Sequence, residues 1–305
     1  MRRAPERAPR RARTARASVL SLIERGARRL RRARVHFGHG TDNAWDEAAS
    51  LTLHALGLPQ HGGAALYRRA VSPRQATRAD ELITRRIAER IPAPYLTGVT
   101  WFAGLPFTVD ARVLVPRSPI AELIERGFAP WADPKRVRRI LDLGTGSGCI
   151  AVACAKALPK ARVDAVDISE AALEVARINV RAHRVGARVR LRKSDHFSAL
   201  GRATYDIIVA NPPYVGAREL KRLPPEYRHE PRVALAGGRR GLDSVAVILR
   251  EARAHLAPRG ILIVEVGNTE HAVRRTFPGL PLLWLQFARG GGGVFLLRRE
   301  QLPPR

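Results

Sequence analysis

The feature that most constrains the fold of this chain is the alternation of short apolar runs with helical segments from residue 138 onward. Five runs have the length and composition of buried parallel strands. They span residues 138–143, 162–166, 188–192, 205–210 and 260–266. Helices are predicted between them at 148–158, 169–183 and 242–256. Because strands joined by crossover helices run parallel, the sequence predicts an α/β fold with a doubly wound sheet.

The two ends of the chain follow other patterns. Residues 282–287 and 294–297 are apolar runs joined by Ala288, Arg289 and four glycines, which predicts an antiparallel strand pair at the end of the sheet. At the other end, Ser18 is the predicted N-cap of a helix that reaches about Arg34. The first hundred residues therefore predict a small helical domain.

Two further helices are expected in that domain, at 43–56 and 76–90, with Pro92 and Pro94 ending the second. From Leu96 the period changes. Residues 99–103 and 106–110 flank Gly104, which predicts a β-hairpin, and Ser118 or Pro119 begins the next helix.

The charge of the chain is strongly positive. Its 54 Lys and Arg exceed its 27 Asp and Glu, and the net charge is +27. Such a charge predicts attraction to phosphate polymers, so contact with ribosomal RNA is one expectation. Composition bias is the other explanation, because only 5 of the basic residues are Lys. No run approaches the ~20 apolar residues of a membrane span, so no membrane contact is expected.

Cysteines and histidines give little evidence of a special site. Cys149 and Cys154 point in different directions on a predicted helix, so they cannot bridge and suggest a reducing compartment. His36, His39 and Asp42 have irregular spacing for metal ligands. Helix capping and loop hydrogen bonds explain them better, and no metal is expected.

A glycine-rich loop follows the first strand of the sheet. Its spacing is Gly144-x-Gly146-x-Gly148, which differs from the pattern of dinucleotide enzymes. Glycines let the backbone approach a ligand closely, and the amides of the next helix face that ligand. Asp142 precedes the loop and could meet a ligand's ammonium group or order the loop. Asp167 follows the second strand, where a carboxylate can accept both hydroxyls of a ribose.

Two more polar segments follow the next strands. Asp195, in the segment Lys193-Ser194-Asp195-His196-Phe197, could accept a hydrogen bond from an adenine amino group. Asn211-Pro212-Pro213-Tyr214 follows the fourth strand. Two prolines cannot continue a strand and make a stiff turn, which fixes the Asn211 side chain and nearby carbonyl groups. Rigid oxygen acceptors beside an aromatic ring can grip a planar group that bears an NH2.

Together these motifs resemble a known family. The glycine loop, Asp167 and the last strand pair resemble the class I methyltransferases, which use S-adenosyl-L-methionine. Asn211-Pro212-Pro213-Tyr214 resembles their amino-methylating branch, which includes adenine-N6 DNA enzymes and protein glutamine-N5 enzymes. The helical N-terminal domain, the hairpin and Val115-Pro116-Arg117 are similar to the glutamine enzymes.

Within those enzymes, residues 38–47, 117–120 and 223–231 are similar to the members that act on the large-subunit ribosomal protein L-three. The resemblance implies a Rossmann-like sheet with an antiparallel last strand, a large-subunit ribosomal protein as substrate, and a cytoplasmic enzyme. The basic tail lies outside the resemblance, and its scarcity of large apolar residues predicts disorder. The rest of the chain is expected to have three folded parts. The tail is 1–17, the helical substrate-recognition domain 18–95, the hairpin linker 96–117 and the methyltransferase domain 118–305.

The resemblance also implies roles for individual residues. The expected cofactor contacts are Asp142, Gly144, Thr145, Gly146, Gly148, Asp167, Ile168, Asp195, His196, Phe197 and Asn211. The expected substrate contacts are Asn211, Pro212, Pro213 and Tyr214. Of these, Asn211, Pro212 and Tyr214 would be catalytic, because their acceptors and ring would orient an amide nitrogen.

Three alternatives remain open at the level of sequence. The substrate could be a release factor rather than a ribosomal protein. The chain could be an adenine-N6 nucleic-acid methyltransferase, which its charge favours, although no region is large enough for base recognition. It could also be a noncatalytic RNA-binding assembly factor, which the intact acids and glycine loop argue against.

Overall fold

The computed structural model describes residues 17–60 and 62–304 of the chain. These described residues form two compact units, 17–35 with 43–89 in one and 36–42 with 90–304 in the other. Apart from Ala17, the predicted basic tail lies outside the described residues. In the described part of the chain, no helix combines the length and apolarity that crossing a membrane would require.

The first unit is helical, as predicted. Its helices are α1 (Val19–Arg32), α2 (Ala44–Ala55), α3 (Ala64–Arg68) and α4 (Pro73–Glu89). Ser18 caps α1 as predicted, and its partner in a reciprocal capping box is Ser21. The short helix α3 was not predicted from the sequence.

Helix α4 begins at Pro73, three residues before its predicted start. Ser72 and Gln75 form a reciprocal cap, because each side chain accepts a hydrogen bond from the other's backbone N–H. Inside the unit, the Arg86 guanidinium donates to the Glu47 carboxylate over 2.7 Å, and both side chains are fully buried.

The second unit starts with three small elements and a helix. They are α5 (Ala93–Thr97), β1 (Val99–Phe102), β2 (Leu105–Thr108) and α6 (Ile120–Glu125). The hairpin is confirmed, and it belongs to the same compact unit as the sheet. Helix α5 was not predicted. Proline is tolerated in a first helical turn, so Pro94 belongs to a new short helix after α4 has ended.

A seven-stranded sheet forms the rest of the unit. Its strands are β3 (Arg139–Leu143), β4 (Arg162–Asp167), β5 (Val189–Lys193), β6 (Tyr205–Ala210), β7 (Leu256–Glu265), β8 (Leu283–Trp284) and β9 (Val294–Arg298). Their order is β5-β4-β3-β6-β7-β9-β8. Strands β3 to β7 run parallel, and β9 pairs antiparallel with both β7 and β8. The predicted sheet is therefore confirmed, with β8 shorter than expected and β7 longer.

The helices of this unit are α7 (Cys149–Ala157), α8 (Glu170–Ala182), α9 (Ala217–Leu220), α10 (Arg232–Leu235), α11 (Asp243–His255) and α12 (Glu270–Thr276). Short 3-10 turns lie at Pro225–His229, Gly267–Thr269 and Arg299–Gln301. Both cysteines are buried and unbridged, as predicted.

Apolar side chains cover both faces of the sheet. Ile140 and Ile207 belong to the core cluster that includes α7, while their neighbours Leu141 and Ile208 belong to the cluster that includes α11. This alternation is the period of two that a strand imposes on its side chains. Burial on both faces leaves the carboxyl ends of the strands as the place for a ligand.

Asn179 of α8 connects the hairpin to the start of α7. Its amide nitrogen donates to the carbonyl oxygens of Thr108 and Ser147, over 2.9 and 2.8 Å. Its amide oxygen accepts from the Thr108 backbone N–H over 2.8 Å. Since Asn179 is almost fully buried, these bonds explain why the hairpin packs with the sheet.

Candidate functional site

The sheet has its topological switch point between β3 and β6. These strands are neighbours, but β3 continues to β4 on one side and β6 continues to β7 on the other. Such a point leaves a crevice at the carboxyl ends of the strands, where ligands bind in open α/β sheets. A cavity of about 300 Å³ opens there, and the loops after β3, β4, β5 and β6 all line it.

The glycine loop forms the floor of this cavity. Gly144, Gly146 and Gly148 have φ angles of 70°, 53° and 78°, in the left-handed region that glycine adopts without strain. Gly144, Thr145 and Gly146 line the cavity. At Gly148 a Cβ would lie 3.1 Å from the Ala176 Cβ, so this glycine lets α7 pack closely on α8.

Asp142 lies beneath the glycine loop and is fully buried. Its Oδ2 accepts hydrogen bonds from the Thr145 hydroxyl and the Ala151 amide, over 2.6 and 3.1 Å. Burial raises the pKa of Asp142 to about 7 against the effect of these bonds. Among the described residues no group hydrogen-bonds to Oδ1. Ordering of the loop, one of the two expected roles, agrees with these contacts; a bond to the cofactor stays a prediction.

Asp167 lies on the opposite side of the loop and lines the cavity. Its Oδ2 accepts from the Gly146 amide over 2.8 Å, and its Oδ1 accepts from the Ser169 amide over 2.9 Å. Burial raises the pKa of Asp167, and the backbone hydrogen bonds oppose this rise. A carboxylate has about four acceptor positions. Beside the bonds from Gly146 and Ser169 and a backbone interaction with Ile168, the carboxylate keeps acceptor capacity for a ligand hydroxyl such as that of a ribose.

The remaining predicted cofactor residues are spread more widely. Ile168, Asp195 and His196 line the cavity, and His196 Nδ1 lies 2.7 Å from Asp195 Oδ1. The Ile168 side chain is half exposed, so it offers an apolar surface on which an adenine ring could pack. Phe197 is instead buried and stacks on the His255 ring, with 4.7 Å between the centroids. Its contact with a cofactor stays a prediction.

Asn211 and Pro212 line this cavity and also a second cavity of about 220 Å³. Pro213 lines the first cavity, and Tyr214 lines the second. The turn therefore stands where the two cavities meet. Leu114, Arg117 and Ala234 also line both cavities, so the Asn211 and Pro212 acceptors form part of the boundary between them.

Sequence reasoning missed a charged cluster at the same junction. The Arg117 guanidinium, which lines both cavities, donates to both carboxylate oxygens of Glu230 over 2.6 and 2.8 Å. Burial opposes ionisation of Glu230, yet the hydrogen bonds from Arg117 together with the nearby His39 ring, whose Nε2 lies 3.6 Å from Glu230 Oε2, lower its pKa to about 2. The Val115 amide also donates to Glu230, over 3.1 Å.

This cluster joins the three segments that the resemblance singled out. Arg117 lies over the Tyr227 ring, 5.4 Å from its centroid, and the His39 ring lies 4.6 Å from that of Tyr227. Residues 38–47, 117–120 and 223–231 were noted only as similar motifs. Arg117 and Glu230 are 113 positions apart, so no local spacing could have paired them.

Comparisons with known proteins identify the families that this chain resembles. The family described as "Methyltransferase small domain" matches residues 129–223, and the "PrmC N-terminal domain" family matches residues 21–98. These matches cover the glycine loop with the Asn211 turn, and the helical N-terminal region.

Curated relatives match almost the whole chain. A protein of Bordetella pertussis is 49% identical over 93% of this chain and 96% of its own length. A protein of Xanthomonas campestris pv. campestris is 47% identical over 93% of this chain and 92% of its own length. A protein of Burkholderia pseudomallei is 44% identical over 94% of this chain and 96% of its own length. Each is named "Ribosomal protein uL3 glutamine methyltransferase".

Among solved structures, the hMettl16 catalytic domain in complex with MAT2A 3'UTR hairpin 6 has a TM-score of 0.50 and 18% identity. The match covers 81% of this chain and 91% of that one. At this identity the likeness shows the fold alone, and the fold is that of a class I methyltransferase.

Proposed function

Since this chain belongs to the ribosomal protein uL3 glutamine methyltransferase family, we propose that it methylates the side-chain amide nitrogen, N5, of a glutamine in uL3. The methyl donor in this proposal is S-adenosyl-L-methionine, which when bound supplies an activated methyl group on a sulfonium. The first cavity would hold this cofactor, and the second would hold the glutamine.

The first cavity suits the proposed cofactor. Asp167 would accept the two ribose hydroxyls at its free acceptor positions, beside its bonds to Gly146 and Ser169. Ile168 offers an exposed apolar side chain for the adenine ring, and Asp195 an acceptor for its amino group. The bare backbone at Gly144 and Gly146 would let the amino-acid end lie close to the loop.

The turn at the junction suits an amide substrate. An amide nitrogen is a poor nucleophile, because its lone pair is delocalised into the carbonyl group. The Asn211 side-chain oxygen and the Pro212 carbonyl oxygen would each accept one N–H of the glutamine and turn its lone pair toward the first cavity. Tyr214 would pack against the amide plane. Positioning and fixed dipoles, rather than a strong base, would then supply most of the rate.

The observation that carries this proposal is that Asn211 and Pro212 line both cavities. An acceptor pair at that point can orient a nitrogen in one cavity toward a carbon in the other. The curated names favour uL3 over a release factor, and a protein amide over adenine.

The test offers three purified recipients, uL3, a release factor and ribosomal RNA, to the chain together with methyl-labelled cofactor. We expect label on a glutamine of uL3, located by mass spectrometry of the digested protein. Label that enters the release factor or the RNA in preference to uL3 would contradict the proposal.

The remaining expectations extend the same proposal. The helical segment 18–95 would recognise the ribosomal protein, with the hairpin segment 96–117 as its linker to the methyltransferase domain at 118–305. The positive charge would support contact with ribosomal RNA. A ribosomal substrate would place the reaction in the cytoplasm.

A further inference from the structure

Glu265, the last residue of β7, is a buried acid close to the junction of the two cavities. The Ser118 hydroxyl donates to its Oε2. Burial raises the pKa of Glu265 to about 7, while the Ser118 bond, the Arg117 charge and the nearby Tyr214 phenol act in the opposite direction. Buried acids are normally paired or functional, so this side chain calls for an explanation.

Tyr214 is the neighbour that connects Glu265 to the second cavity. Burial raises the pKa of Tyr214, with the Glu265 charge as the next cause, so the phenol keeps its proton. A protonated phenol can donate to a carboxylate, and such a charge-assisted bond is strong and directional. Glu265 itself is not among the described residues that line either cavity. It can therefore affect a substrate there only through neighbouring side chains, which are Tyr214 at the second cavity, Ser118 at the first and Arg117 at both.

Gly267 holds the same ring from a second side. A Cβ at Gly267 would lie 2.6 Å from Tyr214 Cε2 and 2.8 Å from Cζ, so the ring lies directly on this backbone. Gly267 has a φ of 49°, in the left-handed region. Since any side chain here would displace the ring, glycine is required by the position of Tyr214 as well as by its own backbone.

The main chain of Tyr214 is fixed as well. A Cβ at Gly237 would lie 2.6 Å from the Pro213 carbonyl oxygen and 2.9 Å from Tyr214 Cα. The Val215 amide donates to the Leu235 carbonyl oxygen over 2.9 Å, and the Gly237 amide donates to that of Val215 over 3.0 Å. Because the Tyr214 main chain is fixed in this way, its ring can move mainly by rotation about the side-chain bonds.

We propose that Glu265 and Gly267 are positioning residues, which fix the Tyr214 ring at the wall of the second cavity so that it can hold the substrate amide. The assignment rests on the proposed function, because it concerns the same substrate. In this proposal Glu265 anchors the hydroxyl end of the ring, and Gly267 packs against its Cε2 and Cζ atoms. Without the anchor the ring turns about its side-chain bonds, and the amide loses one of the surfaces that orient it.

The first experiment measures single-turnover methyl transfer to uL3 by Glu265→Gln. This variant keeps the shape of the side chain but removes the carboxylate charge. That carboxylate accepts a hydrogen bond from Ser118 and, in this proposal, from Tyr214. We expect a rate 10- to 100-fold lower, on the order of the loss of one positioning contact, with cofactor affinity unchanged. Glu122→Gln is the matched control, because Glu122 is a buried acid of α6 that accepts from the amides of Ala288 and Arg289.

The pH profile separates positioning from a general loss of structure. With saturating cofactor, the rate of the wild-type protein and of Glu122→Gln should fall as the pH drops below about 7, as Glu265 is protonated. The rate of Glu265→Gln should not show this fall, because glutamine does not titrate. Asp142 also has a pKa near 7, but it is present in all three proteins, so their difference isolates Glu265. A Glu265→Gln protein with the wild-type rate and profile would overturn the proposal.

The second experiment needs no substrate. The chain has five tyrosines, so 3-fluorotyrosine labelling gives a simple ¹⁹F NMR spectrum in which Tyr214→Phe identifies the Tyr214 signal. We expect Glu265→Gln and Gly267→Ala to shift or broaden that signal and Glu122→Gln to leave it in place. An unmoved Tyr214 signal in Glu265→Gln also overturns the proposal. If the signal moves as expected but the wild-type protein does not methylate uL3, the proposed function fails instead.

Discussion

Asp167 is the residue whose free acceptor positions best match a predicted ligand group. If it holds both ribose hydroxyls, Asp167→Ala should weaken S-adenosyl-L-methionine binding by about 2–4 kcal/mol, since two bonds to a charged acceptor are lost. Calorimetry measures this directly. Asp164→Ala is the control on the same strand, because Asp164 accepts from the Tyr205 hydroxyl over 2.9 Å and lies away from the loop. Equal affinities in the two variants would remove Asp167 from the site.

Asn211 is the residue on which the amide mechanism depends. Asn211→Ala removes one acceptor but keeps both prolines, so cofactor affinity should stay within a few-fold while methyl transfer slows by about 10²–10³. Asn211→Asp keeps an oxygen acceptor of the same length and should retain more activity than Asn211→Ala. It should stay below the wild-type rate, because its charge must be desolvated.

Single-turnover rates of the three proteins, with cofactor affinity measured separately, test this prediction. Wild-type transfer by Asn211→Ala would reduce Asn211 to a turn residue. An Asn211→Asp protein no faster than Asn211→Ala would instead argue that hydrogen-bond acceptance is not its role.

Asp142 gives a prediction about stability and pH. Its pKa is raised from an ordinary value of 3.8 to about 7. Between these values the unfolded chain releases the proton and the folded protein keeps it, so Asp142 destabilises the fold increasingly as the pH rises from about 4 to about 7. Asp142→Asn should lack this loss. Urea unfolding across that pH range should show the free energy of unfolding of the wild-type protein falling by a few kcal/mol relative to that of the variant. If the two free energies change in parallel with pH, the raised pKa of Asp142 is contradicted.

The loop between β3 and α7 is an element in which neighbouring glycines have different tasks. At Gly148 a Cβ meets Ala176 and the φ is 78°, so Gly148→Ala should lower stability by about 1–3 kcal/mol through strain and crowding. At Gly146 a Cβ meets open space and the φ is 53°. Gly146→Ala should therefore destabilise the protein through backbone strain alone. The added Cβ would lie at the wall of the first cavity, where it can affect cofactor binding.

The two variants form a matched pair. We expect Gly148→Ala to show the larger drop in melting temperature and Gly146→Ala the larger loss of cofactor affinity. Differential scanning calorimetry and cofactor titration measure the two effects separately. If Gly146→Ala lowered the melting temperature more and Gly148→Ala weakened cofactor binding more, the roles assigned to the two glycines would be wrong.

For the whole molecule, the net charge of +27 gives a prediction about RNA. Deletion of residues 1–17 should reduce RNA affinity and the steepness of its salt dependence, since fewer counterions are released on binding. Methylation of free uL3 should hardly change. Binding to an RNA fragment at several salt concentrations tests this, and an unchanged salt slope would show that the tail is not an electrostatic arm.

The sequence by itself determined the features that depend on neighbours along the chain. The five parallel strands, the capped helix at Ser18 and the hairpin about Gly104 were predicted within a few residues, because hydrophobic period, caps and turn residues act locally. The glycine loop, Asp167 and the Asn211 turn were found for the same reason. In a parallel sheet the carboxyl ends of neighbouring strands meet at one edge, which predicts their proximity.

Tertiary structure alone decided which distant side chains support that site. Arg117 meets Glu230 across 113 positions, and Ser118 meets Glu265 across 147. Both pairs depend on how loops of different strands fold over the sheet, and no periodicity along the chain records that arrangement. The same limit applies to Phe197, since its place after β5 did not reveal that its ring stacks on His255. Position along the chain brings a residue to the edge of the sheet, and packing then decides which way its side chain points.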